Sequence, residues 1–394
     1  MKHELPEWKL ITLRESLELL YGKSLRKDKR KNGPIPIFGS NGIIGYTDEY
    51  LSKSPGIIIG RKGSVGEIHF SSQDFWAIDT TYYVRLKSDG DYRFWYYLLS
   101  ILNLNEMNTH SAVPGLNREQ VYQIKLKVPN YKEQRAIAKI LSDLDERIEL
   151  NIQINKTLES IAQAIFKRWF VDFEFPNENG APYLSSGGEM VDSELGEIPK
   201  GWKTGKVRDV VIHHKDQVSP VQNPNKVYEH YSIEAFDNGS IPIAQKGEEI
   251  RSNKFLVLAD TILISKLNPR IKRIWTVVRQ PKDGICSTEF LVFKPKDFFY
   301  SYFYSLVLSN VVWARLMQMV RGTSSSHQRF SPDDIIDLKI VIPDDETLNL
   351  YELLVKAILV KREQNILENI AMEQTRDLLL PKLMSGKIRV PVEE

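Results

Sequence analysis

Several turns of this chain combine glycine or polar residues with fixed positive charge. Gly60-Arg61-Lys62-Gly63-Ser64-Val65-Gly66 follows the apolar run Ile57-Ile58-Ile59. Glycines there permit tight turning and close approach of the main chain to a ligand. An arginine so placed suits a guanine edge, taken by its forked guanidinium, or a phosphate. Phe38-Gly39-Ser40-Asn41-Gly42 is a second such turn, and Asn41 carries the donor–acceptor pair that matches adenine. Far downstream, Ser265-Lys266-Leu267-Asn268-Pro269-Arg270 follows another apolar run, with Lys272 and Arg273 close behind. Two donor-rich loops complete the set: Thr109-His110-Ser111-Ala112-Val113-Pro114-Gly115 and Arg321-Gly322-Thr323-Ser324-Ser325-Ser326-His327-Gln328-Arg329. This is the chemistry of nucleic-acid reading: cations anchor phosphates and a few planar side chains meet base edges. The candidate contacts are Ser40, Asn41, Arg61, Lys62, Ser64 and His110 in the first half. In the second half they are Lys266, Asn268, Arg270, Lys272, Arg273, Thr323, Ser325 and Arg329. The lysine run from Lys23 to Lys31 reads as a solvated loop with a nonspecific phosphate role.

Other chemistries find no support in the residues. There is no glycine-rich cofactor loop paired with an Asp/Asn-Pro-Pro-aromatic motif for amino-methylation of bases, and no Gly-x-x-x-x-Gly-Lys-Ser/Thr phosphate loop. His213-His214 has no third ligand at a metal-binding spacing, and Cys286, the only cysteine, excludes an internal disulfide or a cysteine-based zinc site. Asp333 with Asp337-Leu338-Lys339 superficially resembles a magnesium-dependent nuclease signature. The matching positions of the first half, Glu119 and Gln123-Ile124-Lys125, lack the second acid, so a helix start explains both. No catalytic residue, metal ligand or cofactor is assigned to the chain.

The elements that must position these turns come in two copies. Pro6-Glu7-Trp8-Lys9 returns as Pro199-Lys200-Gly201-Trp202-Lys203, an offset of 194. Each opening leads into alternating apolar runs that read as strands. Each block closes on a helix start, at Asn117 and Ser331, and then on Lys125-Leu126-Lys127-Val128-Pro129 and Lys339-Ile340-Val341-Ile342-Pro343, an offset of 214. A long helix follows each proline. In the first, Ile137, Leu141, Leu144, Ile148, Asn151, Asn155, Leu158, Ala162, Ile165 and Trp169 recur at steps of 4 and 3, a coiled-coil seam with a polar break at the asparagines. About 40 helical residues would span roughly 60 Å. The second helix is expected from Asp345 to Leu380, ended by Pro381, with Leu354, Ile358, Ile366 and Ile370 on its seam and Arg362 and Asn369 off it. Two such helices are expected to pack on each other. The fold class is α+β: two mixed recognition domains, 1–130 and 199–343, with long coiled-coil helices at 131–175 and 344–394 and an acidic linker at 176–198. Residues 1–130 carry 18 Lys/Arg against 14 Asp/Glu, a net of +4; residues 200–343 carry 21 against 14, a net of +7; residues 171–199 carry 7 acids and no Lys or Arg. Two basic blocks around an acidic joint suit a polyanion touching both. No apolar run reaches membrane-spanning length, and the start lacks a signal core, so a cytoplasmic location is expected.

Pro36-Ile37-Phe38-Gly39-Ser40-Asn41-Gly42-Ile43-Ile44-Gly45-Tyr46 with the Arg61 turn resembles one class of target-recognition domain in specificity subunits of Type I restriction–modification systems. Leu263-Ile264-Ser265-Lys266-Leu267-Asn268-Pro269-Arg270 with Cys286-Ser287-Thr288-Glu289-Phe290 resembles another. Glu133-Gln134-Arg135-Ala136-Ile137-Ala138 and Phe166-Lys167-Arg168-Trp169-Phe170 resemble the ends of the family's central helix, and Leu379-Leu380-Pro381-Lys382-Leu383-Met384-Ser385-Gly386 its C-terminal helix end. Asp344-Asp345-Glu346 departs from the pattern, lacking the Glu-Gln-Arg type of helix start. The resemblance implies a non-catalytic DNA-binding subunit that reads a bipartite asymmetric site, one half per domain, with the helices setting the spacer. It implies two methyltransferase subunits and restriction motor-nuclease subunits as partners, which would carry S-adenosylmethionine, ATP and magnesium. A protein-only coiled-coil adaptor and a stand-alone restriction enzyme are the competing readings.

Overall fold

The computed structural model describes residues 7–26, 28, 30, 33–107, 115–321 and 328–391. The chain divides into two compact units, Met1–Glu149 with Asn369–Glu394, and Leu150–Glu368.

In the first unit, β1 (Lys9–Thr12) leads through the short α1 (Leu13–Ser16) into β2 (Leu17–Tyr21). The next strands are β3 (Ile35–Gly39), β4 (Gly42–Thr47), β5 (Gly56–Gly60), β6 (Ile68–Ser71), β7 (Trp76–Ala77) and β8 (Thr81–Leu86). Helix α2 (Tyr92–Ser100), α3 (Arg118–Tyr122), β9 (Lys125–Val128) and the long α4 (Tyr131–Phe166) follow. One sheet has the order β2-β8-β5-β6 and a smaller one β4-β3-β7, with β3 and β7 parallel. The β1 strand returns to β9 in antiparallel register, Lys9 opposite Val128. Ile57 and Ile59 face one side of β5 into the main core with Leu17, Leu19, Phe94 and Leu98; Ile58 faces the other, into a small cluster with Phe38 and Phe75. That alternation is the period of two expected of a strand buried on both faces.

The second unit repeats this plan. A hairpin of β10 (Met190–Ser193) and β11 (Gly196–Pro199) precedes β12 (Lys203–Lys206), α5 (Val207–Val210) and β13 (Val211–His214). Then come β14 (Gln217–Val218), β15 (Val227–Tyr231), α6 (Ile233–Asp237), β16 (Ile243–Lys246) and β17 (Lys254–Leu256). The unit continues with β18 (Thr261–Ser265), β19 (Ile274–Val277), β20 (Gly284–Cys286), β21 (Phe290–Pro295), α7 (Tyr300–Leu308), α8 (Asn310–Gln318), α9 (Pro332–Ile336), β22 (Lys339–Ile342) and α10 (Asp345–Met384). Here the four-stranded order is β13-β21-β18-β19, and β12 returns to β22 with Lys203 opposite Ile342. The second sheet has grown to five strands, β14-β17-β20-β15-β16, with β15 and β20 parallel as β3 and β7 are. Because β16 pairs with β15 as β4 pairs with β3, the strands added in the second copy are β14 and β17.

Capping is also duplicated. Asn117 accepts from the Glu119 backbone N–H at 2.9 Å and Ser331 from that of Asp334 at 3.3 Å, as the sequence anticipates. The long helices are capped by Asn130, which accepts from the Glu133 N–H at 3.0 Å, and by Asp344, which accepts from the Thr347 N–H at 2.8 Å. The two repeated tryptophans reach these helix starts: Trp8 donates its indole N–H to Glu133 at 3.2 Å, and Trp202 donates to Asp344 at 2.6 Å.

Within each unit, α4 and α10 run antiparallel. In the first, Asp145 accepts from Arg376 at 2.7 Å, Glu133 takes both Arg389 donors at 2.7 and 2.8 Å, and the Asn369 amide donates to the Ile148 carbonyl at 3.3 Å. In the second, the Asn151 amide donates to Glu368 at 3.1 Å, and the Asn365 amide donates to Asn155 at 2.9 Å. Asn365 and Asn369 stand at the repeat offset of 214 from Asn151 and Asn155.

The structure corrects three expectations about these elements. On α10 the buried stripe runs through Leu348, Tyr351, Val355, Leu359, Asn365 and Asn369, whereas Leu354 is 45% exposed; seam asparagines that bond across the pair disguise the apolar period. The helix also runs through Pro381 to Met384, because Leu383 and Met384 are buried in the first unit's core and packing outweighs the missing N–H. Finally, the 176–198 stretch contains the β10–β11 hairpin, and Tyr183 stacks on Phe175 at 4.5 Å, with Phe175 stacked on Trp202 at 4.8 Å. Aromatic packing orders a segment whose composition reads as loop.

Candidate nucleic-acid interface

The Arg61 turn joins β5 to β6. The Gly60 N–H donates to the Glu67 carbonyl at 2.7 Å and the Gly66 N–H to the Gly60 carbonyl at 2.8 Å, closing the turn at its base. Gly63 and Gly66 have φ of +79° and +78°, the left-handed region where a side chain is strained. A Cβ on Gly66 would also lie 2.3 Å from the Asn105 nitrogen. The N–H groups of Arg61 and Lys62 both donate to the Thr80 carbonyl, at 2.9 and 3.0 Å, and fix the backbone of the turn at the sheet end, with Lys62 exposed and Arg61 half-buried.

The β3–β4 hairpin tip, Ser40-Asn41, abuts this turn. The His69 ring nitrogen Nε2 lies 3.1 Å from the Ser40 carbonyl, and an ideal Cβ on Gly63 would be 3.1 Å from the Ser40 hydroxyl. The structure therefore brings Ser40, Asn41, Arg61, Lys62 and Ser64 to one end of the first unit, with Asn41 and Lys62 exposed. His110 lies outside the described residues, although the Leu116 N–H donates to the Arg61 carbonyl at 3.0 Å and so ties the end of that loop to the turn.

Tyr21, Tyr82 and Arg118, absent from the sequence-based set, belong here. The Arg61 guanidinium sits 5.3 Å from the Tyr21 ring centroid and 5.9 Å from that of Tyr82, and Arg118 sits 5.0 Å from Tyr21. Arg61 also donates to the Asp79 carbonyl at 2.6 Å. Burial, reinforced by the Tyr21 hydroxyl, pushes the Tyr82 phenol up to about 12. Arg118 read as part of a helix start, and its proximity to a strand end 97 positions earlier has no local signal.

The counterpart turn joins β18 to β19. The Ser265 N–H donates to the Arg273 carbonyl at 2.9 Å, the same closing bond as Gly60 to Glu67. Asn268 holds a left-handed φ of +46°, its N–H donating to the Gln328 carbonyl at 2.9 Å. Leu267 bridges to Arg329, so Gln328 and Arg329 lie beside this turn, as Leu116 lies beside the Arg61 turn. Arg270 is exposed and Lys266 half-buried. Arg329 is held by a two-pronged pair with Glu289, both bonds 3.1 Å. Thr323 and Ser325 lie outside the described residues.

Arg273 does not reach the surface as a DNA contact requires, and Lys272, half-buried, is already engaged by the fold. Arg273 is 6% exposed and makes two bonds to Asp237, at 2.7 and 2.8 Å. Those bonds hold the Asp237 carboxyl below its usual range. A guanidinium so enclosed anchors α6 to the sheet. Lys272 donates to the Leu308 carbonyl at 3.1 Å and to Asn310 at 2.8 Å, and lies 5.7 Å from the Trp313 ring. It spans the α7–α8 junction, and burial lowers its ammonium pKa. The acids that resembled a nuclease are committed elsewhere. Asp337 accepts from Lys206 at 3.0 Å and from Arg208, and Lys339 pairs with Glu194. Among the described residues, no three His, Cys, Asp or Glu side chains gather closely enough to hold a metal. No described helix is long and apolar enough to cross a membrane.

Two similar domains, each presenting polar turns at one sheet end, define the class of molecule. A family model described as the Type I restriction modification DNA specificity domain matches residues 6–160 and again 199–366, and the chain belongs to that family. It is similar to the MjaIX Type I restriction enzyme specificity subunit of Methanocaldococcus jannaschii, 27% identical across 75% of this chain and 68% of that one. It is also similar to the HindI specificity subunit of Haemophilus influenzae, 24% identical across 70% and 71%. The crystal structure of a Type I restriction–modification S subunit from M. genitalium shares the fold, with a TM-score of 0.67 at 17% identity over 98% of this chain and 97% of that one.

Proposed function

We propose that this chain is the non-catalytic DNA-reading subunit of a cytoplasmic Type I restriction–modification complex. In this reading each unit contacts one half of a split, asymmetric site, and α4 with α10 sets the unread spacer. The observation that carries it is one scaffold built twice with different turn chemistry at the equivalent place: Gly60-Arg61-Lys62-Gly63 in one copy and Ser265-Lys266-Leu267-Asn268 in the other. Equivalent scaffolds would dock on DNA alike, while unlike side chains would read unlike half-sites. Methyltransferase subunits, two in number, and restriction motor-nuclease subunits would assemble on the chain. The S-adenosylmethionine, ATP and magnesium chemistry would be theirs.

The test is single-molecule methylome sequencing of a host expressing this chain with its cognate methyltransferase subunit. The expected result is an N6-methyladenine motif split into two unlike halves by a fixed gap. Asn41→Ala should relax only one half and Lys266→Ala only the other. Absence of any split motif, with the same methyltransferase active through another specificity chain, would sink the proposal in favour of a protein-only adaptor.

A further inference from the structure

We propose that Arg61 and Arg118, stacked on the Tyr21 ring, form a clamp of two guanidinium groups for a single backbone phosphate of DNA. The clamp rests on the DNA-reading role above and names a contact within it that the family match does not assign. Both guanidinium carbons lie within 5.3 Å of the same ring centroid, so two like charges pack against one ring. Tyr21 is 50% exposed, leaving the ring open to a ligand, while Tyr82 backs it from the interior at 5.1 Å.

The charges are poorly balanced from within. Among the described residues Arg61 has no carboxylate partner; its guanidinium donates only to the Asp79 carbonyl, and its Nε is enclosed without any acceptor. Arg118 has Glu119 at 3.6 Å, but that carboxylate makes its closer pair with Arg14. Two cations on one ring, Arg61 without a carboxylate among the described residues and Arg118 with one that also pairs with Arg14, call for an anion, and a phosphate oxygen pair matches forked guanidinium donors. A guanine edge would occupy one guanidinium and leave the mutual repulsion in place. The clamp also has no copy in the second unit. The residue at the 214 offset from Arg118 is Pro332, and the one at the 194 offset from Tyr21 is Lys215.

The experiment uses the full chain assembled with its methyltransferase subunits and a duplex carrying the methylated motif. Arg61→Ala and Arg118→Ala should each weaken binding about tenfold, the size of a charge-assisted hydrogen bond. The slope of log K against log salt should fall by about 0.9 in the double variant, one phosphate's worth, and not by about 1.8 as two independent contacts would give. Tyr21→Phe should retain binding and Tyr21→Leu should lose part of it, because the ring face, not the hydroxyl, carries the stack. Replacing each phosphate of the half-site in turn by an uncharged methylphosphonate should reveal one linkage that abolishes sensitivity to both arginine variants. Additive salt slopes, no such linkage, or a methylome motif that loosens at a guanine in Arg118→Ala would each overturn the clamp. Wild-type binding with unaltered variants overturns the clamp alone. Failure of the wild-type complex to bind the duplex overturns the DNA-reading role as well.

Discussion

The turns at 61–66 and 266–272 close with the same backbone bond at their bases, yet they use charge in opposite ways. The first turn relies on Gly63 and Gly66 in left-handed conformations, and Arg61 rests on tyrosine rings at the surface. The second has no glycine. Lys272 at its end and Arg273 just after it bond to Asn310 and Asp237, and these side-chain bonds stand where the first turn uses glycine geometry. Setting aside the Arg273–Asp237 pair removes one charge of each sign and leaves the domain's net charge unchanged, so the pairing decides which cations are free to meet DNA and not how large the basic excess is.

The sharpest way to break this comparison is to remove the feature that only the first turn has. Gly66→Ala places a Cβ on the Asn105 backbone at a φ where L-residues are strained. The first unit should lose about 3 kcal/mol in urea unfolding. Lys272→Ala, at the matching place, should cost the second unit under about 1 kcal/mol. Equal losses would mean that the turns are held alike. Next in size, Arg273→Ala should destabilise the second unit by about 2–3 kcal/mol. That is less than a fully buried pair, since Asp237 is 44% exposed. Glu67→Ala, at the matching exposed position, should stay within about 0.5 kcal/mol.

The same pair gives an acid dependence with a definite sign. Arg273 lowers the folded-state pKa of Asp237 from its ordinary 3.8. Its stabilisation is therefore present above that value and is lost as pH falls through the lowered one. Thermal melts from pH 6 down to pH 2 should show a shallower acid limb in Asp237→Asn than in wild type; parallel limbs would remove the pair from the account. A smaller effect is expected of Glu289→Gln. It frees Arg329 from a surface pair worth under about 1 kcal/mol, so stability should barely move while DNA affinity rises and its salt dependence steepens. A fall in affinity would instead make Glu289 itself a DNA contact. Smallest of all, Asp337→Ala should change stability by no more than about 0.5 kcal/mol, its partners Lys206 and Arg208 being half-exposed.

Much of the scaffold was legible in the residue pattern. The paired tryptophans, the Asn117 and Ser331 caps, the returning Lys-x-x-x-Pro strands and the α4 seam are all local signals, and local rules place them correctly. The α10 seam was misread because Asn365 and Asn369 lie where apolar residues were sought. Their partners are 210 or more positions away and cannot be seen in a periodicity. Pro381 misled for a related reason, since burial of Leu383 and Met384 outweighs a propensity that governs only isolated helices.

The candidate site divides along the same line. Residue type, glycine spacing and repetition were sufficient to point to the Ser40–Asn41 tip, the Arg61 turn and the Lys266 turn, because turns and strands are dictated within a few residues. The sequence alone also determined that the plan is built twice. Only the tertiary structure decided which cations face outward. Arg273 and Lys272 look no different from Arg61 until Asp237 and Asn310 are brought beside them, and Arg118 joins Arg61 only because Tyr21 is folded against both. The physical reason is that an ion's availability depends on its partners and its solvation, both of which are set by long-range packing rather than by chain neighbours.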